Sequence, residues 1–129
     1  MTASFLTTDR LALVDALEDT GVKVYPVAPP TPIPPCLAVT SGSPWLIPER
    51  LGGNKAVRAQ WRVMAVVKDG ADYMPALEDL VDAVLDAVPD GYMVDSVGPP
   101  SSLDIGAQGS VLACDITISA RLTATPPTP

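Results

Sequence analysis

The chain has 129 residues, 47% of them hydrophobic and 18% charged; this composition supplies one packed interior, excludes two catalytic domains and lies outside the disordered class. A formal net charge of −7 works against nonspecific adhesion to nucleic acid or to an anionic membrane, since both recruit an excess of Lys and Arg. The chain has no histidine, which rules out His-based triads, zincins and deaminase centres, and its two cysteines, Cys36 and Cys114, are too few for a disulfide-built scaffold and fit a reducing compartment.

The opening Met1-Thr2-Ala3-Ser4-Phe5-Leu6 has no basic n-region, and no run of about 18 apolar residues occurs, so a soluble chain without an export signal is expected. From Thr8 to Thr20, Leu11, Leu13, Val14 and Leu17 recur at three- and four-residue spacing and predict a helix, capped by Thr7 or Thr8 and ended by Gly21. Asp9 at its start suits the helix dipole, while Glu18 and Asp19 oppose it at the other end. Val22 to Tyr25 alternates as a strand that Pro26 confines to an edge or a strand end. Six prolines between Pro26 and Pro35 require an extended segment. Cys36 to Thr40 reads as a buried strand, followed by Ser41-Gly42-Ser43-Pro44, Trp45-Leu46-Ile47-Pro48 and then the turn chemistry of Gly52-Gly53-Asn54, which reads as a hairpin tip.

Val57, Ala59, Trp61, Val63, Ala65 and Val67 alternate with Arg58, Gln60, Arg62, Met64, Val66 and Lys68. The first set is a core face; the second begins basic and becomes apolar. At about 3.3 Å per residue this strand runs for roughly 40 Å, longer than the usual five or six residues, so part of it is expected to project as a hairpin arm. A second helix is expected from Asp72, as N-cap, to Val88, with Pro75 tolerated in the first turn and Leu77, Leu80, Val81, Val84, Leu85 and Val88 on its apolar side. Pro89 and Gly91 end it. Tyr92 to Val97 starts a further strand, Leu103 to Ile105 a short one, and Val111 to Leu122 the last. The prediction is a single α+β domain over residues 1–122, a mixed or antiparallel sheet with a long β-hairpin covered by two helices, and a flexible Pro-rich tail over 123–129.

Candidate catalytic groups are few. Cys36 and Cys114 lie in apolar strands without the cationic neighbour that lowers a thiol pKa, and Asp115 alternates away from Cys114 as a lone acid. Glu78, Asp79, Asp82 and Asp86 share one convex helix side, which does not converge on a hard cation. Gly52-Gly53-Asn54-Lys55 lacks the spacing of a phosphate loop. Pro29-Pro30-Thr31-Pro32 and Pro32-Ile33-Pro34-Pro35 read as rigid connector, with polyproline II docking as the other possibility. No catalytic, cofactor or metal residue is therefore expected.

Charge placement is more informative than its sum. Arg50, Lys55, Arg58, Arg62 and Lys68 are five of the eight basic residues, and the stretch from Asp69 to Ala120 has none. A basic arm on an acidic remainder predicts head-to-tail association of identical copies. Its interface would comprise Arg58, Arg62, Met64, Val66 and Lys68 on one side and Glu78, Asp79 and Asp82 on the other. Charge sets register there, and apolar side chains supply adhesion.

The helix ending in Gly21-Val22-Lys23-Val24-Tyr25, the proline-rich loop to Pro34-Pro35, Cys36-Leu37-Ala38-Val39, Trp61 to Val67, Ala76-Leu77-Glu78-Asp79-Leu80, Gly91-Tyr92-Met93-Val94 and Leu112 to Ile118 together resemble tail terminator proteins of long-tailed bacteriophages, over roughly residues 9 to 122. The resemblance implies a virion protein of the neck, assembled in the host cytoplasm. It also implies a hexameric ring that caps the tail tube protein, stops its polymerisation and docks the head-closure connector. DNA would pass through an acidic lumen without specific binding, and neither catalysis nor a membrane is implied. The alternatives are another neck ring protein, a head-closure or tube component, or a small cytoplasmic ligand-binding or enzymatic α+β domain.

Overall fold

The computed structural model describes residues 5–26, 33–51, 54–68, 73–104 and 109–124. These form α1 (Phe5–Leu17), a 3-10 turn (Glu18–Thr20), β1 (Lys23–Tyr25), β2 (Cys36–Leu51), β3 (Asn54–Lys68), α2 (Tyr73–Ala87), β4 (Tyr92–Val97), β5 (Ser101–Asp104) and β6 (Ser110–Ala124). The strands make one sheet in the order β1-β2-β3-β6-β4, with β5 also paired to β6. β1 runs parallel to β2 and the other pairings are antiparallel, so the sheet is mixed. This is the α+β architecture expected.

Period-two alternation places the core. Val57, Ala59, Trp61, Val63, Ala65 and Val67 of β3 are all buried. They join Leu37 and Val39 of β2 and Leu112, Cys114, Ile116 and Ile118 of β6 under Leu13, Val14 and Leu17 of α1 and Leu77, Leu80 and Val84 of α2. Both helices therefore cover the same side of the sheet, the arrangement that buries one stripe of each helix against one face of the strands.

The structure departs from the expected elements where helical phase and strand continuity decide. α1 begins at Phe5, so Thr7 and Thr8 lie inside its first turns instead of capping it. Leu11 is 47% exposed because it lies about 200° round the helix from Leu13. Leu85 is 41% exposed because it sits about 100° beyond the buried Val84. Gly21, at φ +84°, ends the 3-10 turn in the left-handed region that favours glycine, and its N–H donates to the Glu18 carbonyl. Pro75 stands in the first turn of α2, where its missing N–H leaves no helical bond unmade. The expected cap Asp72 lies outside the described residues.

The largest difference is in β2. It continues past Thr40, where the expected strand ended, through Ser41 to Pro48, with one break in register between Ser41 and Leu46. Gly42 sits in that break; a Cβ there would come within 2.9 Å of both the Gln60 Cβ and the Gln60 carbonyl oxygen. Glycine thus lets β2 approach β3 closely and resume pairing. Leu51 pairs with Asn54; residues 52 and 53 of the expected tip lie outside the described residues, as do residues 27–32 of the proline-rich segment and 125–129 of the tail. β6 accompanies β3 from Lys68↔Val111 to Lys55↔Ala124. The expected two-stranded arm therefore has a third strand along its whole length, because β6 is as long as β3, and Thr123 and Ala124 belong to that strand.

Candidate functional site

With both helices on one side, the other side of the sheet is open, and it collects basic residues. Exposed Lys23 of β1, Arg58, Arg62 and Lys68 of β3 and Arg121 of β6 all occupy positions that alternate with core residues, so they face away from the helices. Thr40 on β2 orients Arg62: the Arg62 Nε donates to Thr40 Oγ1 at 3.4 Å, and that hydroxyl donates to the Arg62 carbonyl at 3.2 Å. Lys23 places its ammonium 5.6 Å from the centre of the Tyr25 ring, a cation–π contact at the sheet margin. Asp115, half-buried, occupies the middle of the face in register with Met64. The two border a hollow of about 240 Å³ together with Arg62 and Ser101.

Val66 does not protrude from this face. It is buried with Cys36, Val111 and Ala113 in a second, smaller cluster against which Tyr25 and Met64 are half-buried. Of the apolar residues expected at a subunit contact, Met64 therefore stays partly open, and Val66 lies beneath it.

The acidic expected partners lie on the opposite side of the molecule. Glu78, Asp79, Asp82 and Asp86 are exposed on α2, on the helical layer, whereas the basic residues lie on the side of the sheet that faces away from the helices. The structure brings Arg58, Arg62, Met64 and Lys68 onto one surface, and Glu78, Asp79 and Asp82 onto another.

Beside α2, the residues Met74, Val81, Val97 and Pro100 line a groove of about 280 Å³, with Glu78 and Asp82 among its walls. The α2 phase creates it. Leu77, Leu80 and Val84 point into the core, so Met74, Val81 and Leu85 fall on the flank facing the end of β4. Gly98, just past β4, is held there by its N–H donating to the Asp115 carbonyl at 2.7 Å.

One polar constellation was not legible in the sequence. Asp9 on α1 accepts from Trp61 Nε1 on β3 at 2.7 Å with one carboxylate oxygen, and from the Tyr92 hydroxyl on β4 at 2.6 Å with the other. The same hydroxyl lies 2.9 Å from the Asp9 carbonyl. Burial, with the Asp9 carboxylate beside it, pushes the Tyr92 phenol well above its ordinary range. Trp61 is also met edge-on by the half-exposed Trp45, at 6.2 Å and 63°. This clamp ties α1 to the sheet, and the only advance signal was a Trp and a Tyr on core-facing positions, where each polar tip needs a partner.

The thiols do not form a reactive pair. Cys36 belongs to the small cluster on the open side and Cys114 to the main core, so they face opposite sides of the sheet. Burial raises both thiol pKa values, and the Asp115 charge adds to the effect at Cys114. Among the described residues no group of three or more Cys, Asp or Glu side chains is placed to hold a metal ion. No helix among them is long and apolar enough to cross a membrane.

No known family model and no curated protein matches the chain. Among solved structures it is similar to a chain of the virion of native gene transfer agent (GTA) particle, with a TM-score of 0.54 and 13% identity, over 92% of this chain and 92% of that one. At that identity the shared property is the fold, over nearly the full length of both chains.

Proposed function

We propose that this chain is a structural protein of a phage-like virion and, within it, the tail terminator: a ring subunit that caps the tail tube, halts its growth and offers a surface to the head connector. The observation that carries this reading is the agreement in fold, over 92% of both chains, with a component of a gene transfer agent virion. It supports the resemblance to tail terminators carried by the residues from Asp9 to Leu122. The segregated charge supports ring formation. A basic open sheet face and an acidic helical layer lie on opposite sides of one subunit, and unlike surfaces of identical copies then meet head to tail. A six-membered ring is what the resemblance implies.

The test is tube growth. Purified protein added to polymerising tube subunits should arrest elongation, and particles lacking it should carry overlong tubes. Unchanged tube length with the protein in excess would overturn the proposal. Arg58→Glu with Arg62→Glu should impair ring formation, and reversal of Glu78 and Asp82 should partly restore it.

A further inference from the structure

We propose that the groove beside α2 receives Met93 of a second copy of this chain. The inference rests on the ring reading above and names the contact that builds it. Three large apolar side chains left exposed, Met74, Leu85 and Val97, gather on this flank of the molecule, and apolar surface gathered in this way marks a contact with another protein. The groove walls Met74, Val81, Val97 and Pro100 are bordered by Glu78 and Asp82, so the occupant must bring an apolar tip with positive charge beside it. The open side of the sheet presents that combination at its β4 margin. Met93 is 56% exposed and pairs with Ser119 of β6. Ser119 lies between the core-facing Ile118 and Ala120, so Met93 points away from the helices with it. Exposed Arg121 is the next residue of β6 on this face, and it pairs with exposed Arg58 of β3. A diagonal neighbour of this kind stands about 7–8 Å away, within reach of a long side chain, so Arg121, with Arg58 beyond it, sets positive charge beside the thioether. Asp95, the one acid in β4, is the residue that the bulge leaves out of register and does not share the row of Met93. Unbranched methionine adapts to irregular apolar walls; that contact supplies adhesion, and charge selects the orientation.

One copy cannot make this contact with itself. Met93 and Val97 belong to the same strand, yet Met93 faces the open side, whereas Val97 pairs with the core residue Ile116 and lines the groove beside α2. The sheet lies between knob and groove, and pairing with β6 holds both in place. Each copy therefore offers its open side to the helical side of the next. That is a heterologous contact, which closes a ring when the rotation per copy divides a full turn.

The test is cross-linking in purified particles under mild oxidation. The background is a cysteine-free chain, Cys36→Ala with Cys114→Ala, because Cys114 lies at the base of the groove. In it, Met93→Cys with Met74→Cys should give a ladder of disulfide-linked multimers, and neither single variant should. Monomer alone from particles that contain the double variant would overturn the inference, as would a disulfide from the groove cysteine to a chain of different mass, which would give the groove to another virion protein. In the chain with its natural cysteines, Met93→Glu brings a carboxylate to Glu78 and Asp82 and should lower incorporation into particles about tenfold or more. Adding Glu78→Lys with Asp82→Lys should restore it. Undiminished incorporation, or loss without rescue, refutes the contact, and these variants decide the matter where the cysteine-free chain does not enter particles. Tube length is scored separately: a ladder in particles whose tubes keep normal length without this protein retains the contact and discards the terminator role, and monomer alone where tubes overgrow without it does the reverse.

Discussion

Replacing Asp9 by alanine removes two hydrogen bonds to one carboxylate, at 2.7 Å from Trp61 Nε1 and 2.6 Å from the Tyr92 hydroxyl. Bonds to a charged group contribute about 1.5–3 kcal/mol each when made. The Tyr92 hydroxyl keeps the Asp9 main-chain carbonyl at 2.9 Å, so the main loss is the half-buried indole N–H left without its acceptor. The expected destabilisation is about 3 kcal/mol, which at a urea m-value of about 2 kcal/mol/M lowers the unfolding midpoint by about 1.5 M. Asp9→Asn, which retains an acceptor oxygen for one donor but turns an NH₂ toward the other, should cost about half as much. Urea titration followed by tryptophan fluorescence reads both, because Trp61 reports on the site itself. Tyr92→Phe completes a double-mutant cycle with Asp9→Ala and should show a coupling above about 0.5 kcal/mol. An Asp9→Ala cost below about 0.5 kcal/mol, or strict additivity with Tyr92→Phe, would refute the claim that this carboxylate fastens α1 to the sheet.

Gly42→Ala should destabilise by about 1–3 kcal/mol, since the new methyl meets the Gln60 backbone at 2.9 Å; thermal unfolding measures it. Leu77→Ala, which empties a fully enclosed site under α2, should cost about 2–5 kcal/mol in the same assay. Tyr92 has a folded pKa above its unfolded value near 10, so the protonated form is favoured by folding. Stability from this group is intact below pH 10 and falls as pH rises past it, and Tyr92→Phe should flatten that alkaline decline in pH-dependent unfolding. Cys36 and Cys114, buried with raised pKa values, should react with a thiol reagent at neutral pH only after denaturant is added.

The sequence carried the core of β3 because strict alternation from Val57 to Val67 admits one inward set. It carried α2 because Leu77, Leu80 and Val84 repeat without a break. It misplaced Leu11 and Leu85 because three-four spacing tolerates a neighbour at the margin of a stripe, and only packing decides which margin is wet. Ser41-Gly42-Ser43-Pro44 has turn chemistry, yet pairing with β3 on both sides of the break overrides it. The charge partition was visible as counts along the chain, but its separation onto opposite sides follows from both helices choosing one side of the sheet. Asp9, Trp61 and Tyr92 are separated by 52 and 83 positions from helix to strands, so no local pattern could join them.

The margins of the sheet bear on how such a subunit can assemble. One outer strand, β1, is three residues long and is followed at once by Pro26; the other, β4, is interrupted by a bulge between Val94 and Ser96. Neither offers a long, regular row of unpaired amides for another chain to extend. The longest margin is β2 beyond Ala38, where β1 has ended and no other strand among the described residues pairs on the outer side; the register break between Ser41 and Leu46 divides that row, so an added strand would find it in two short pieces and not as one continuous template.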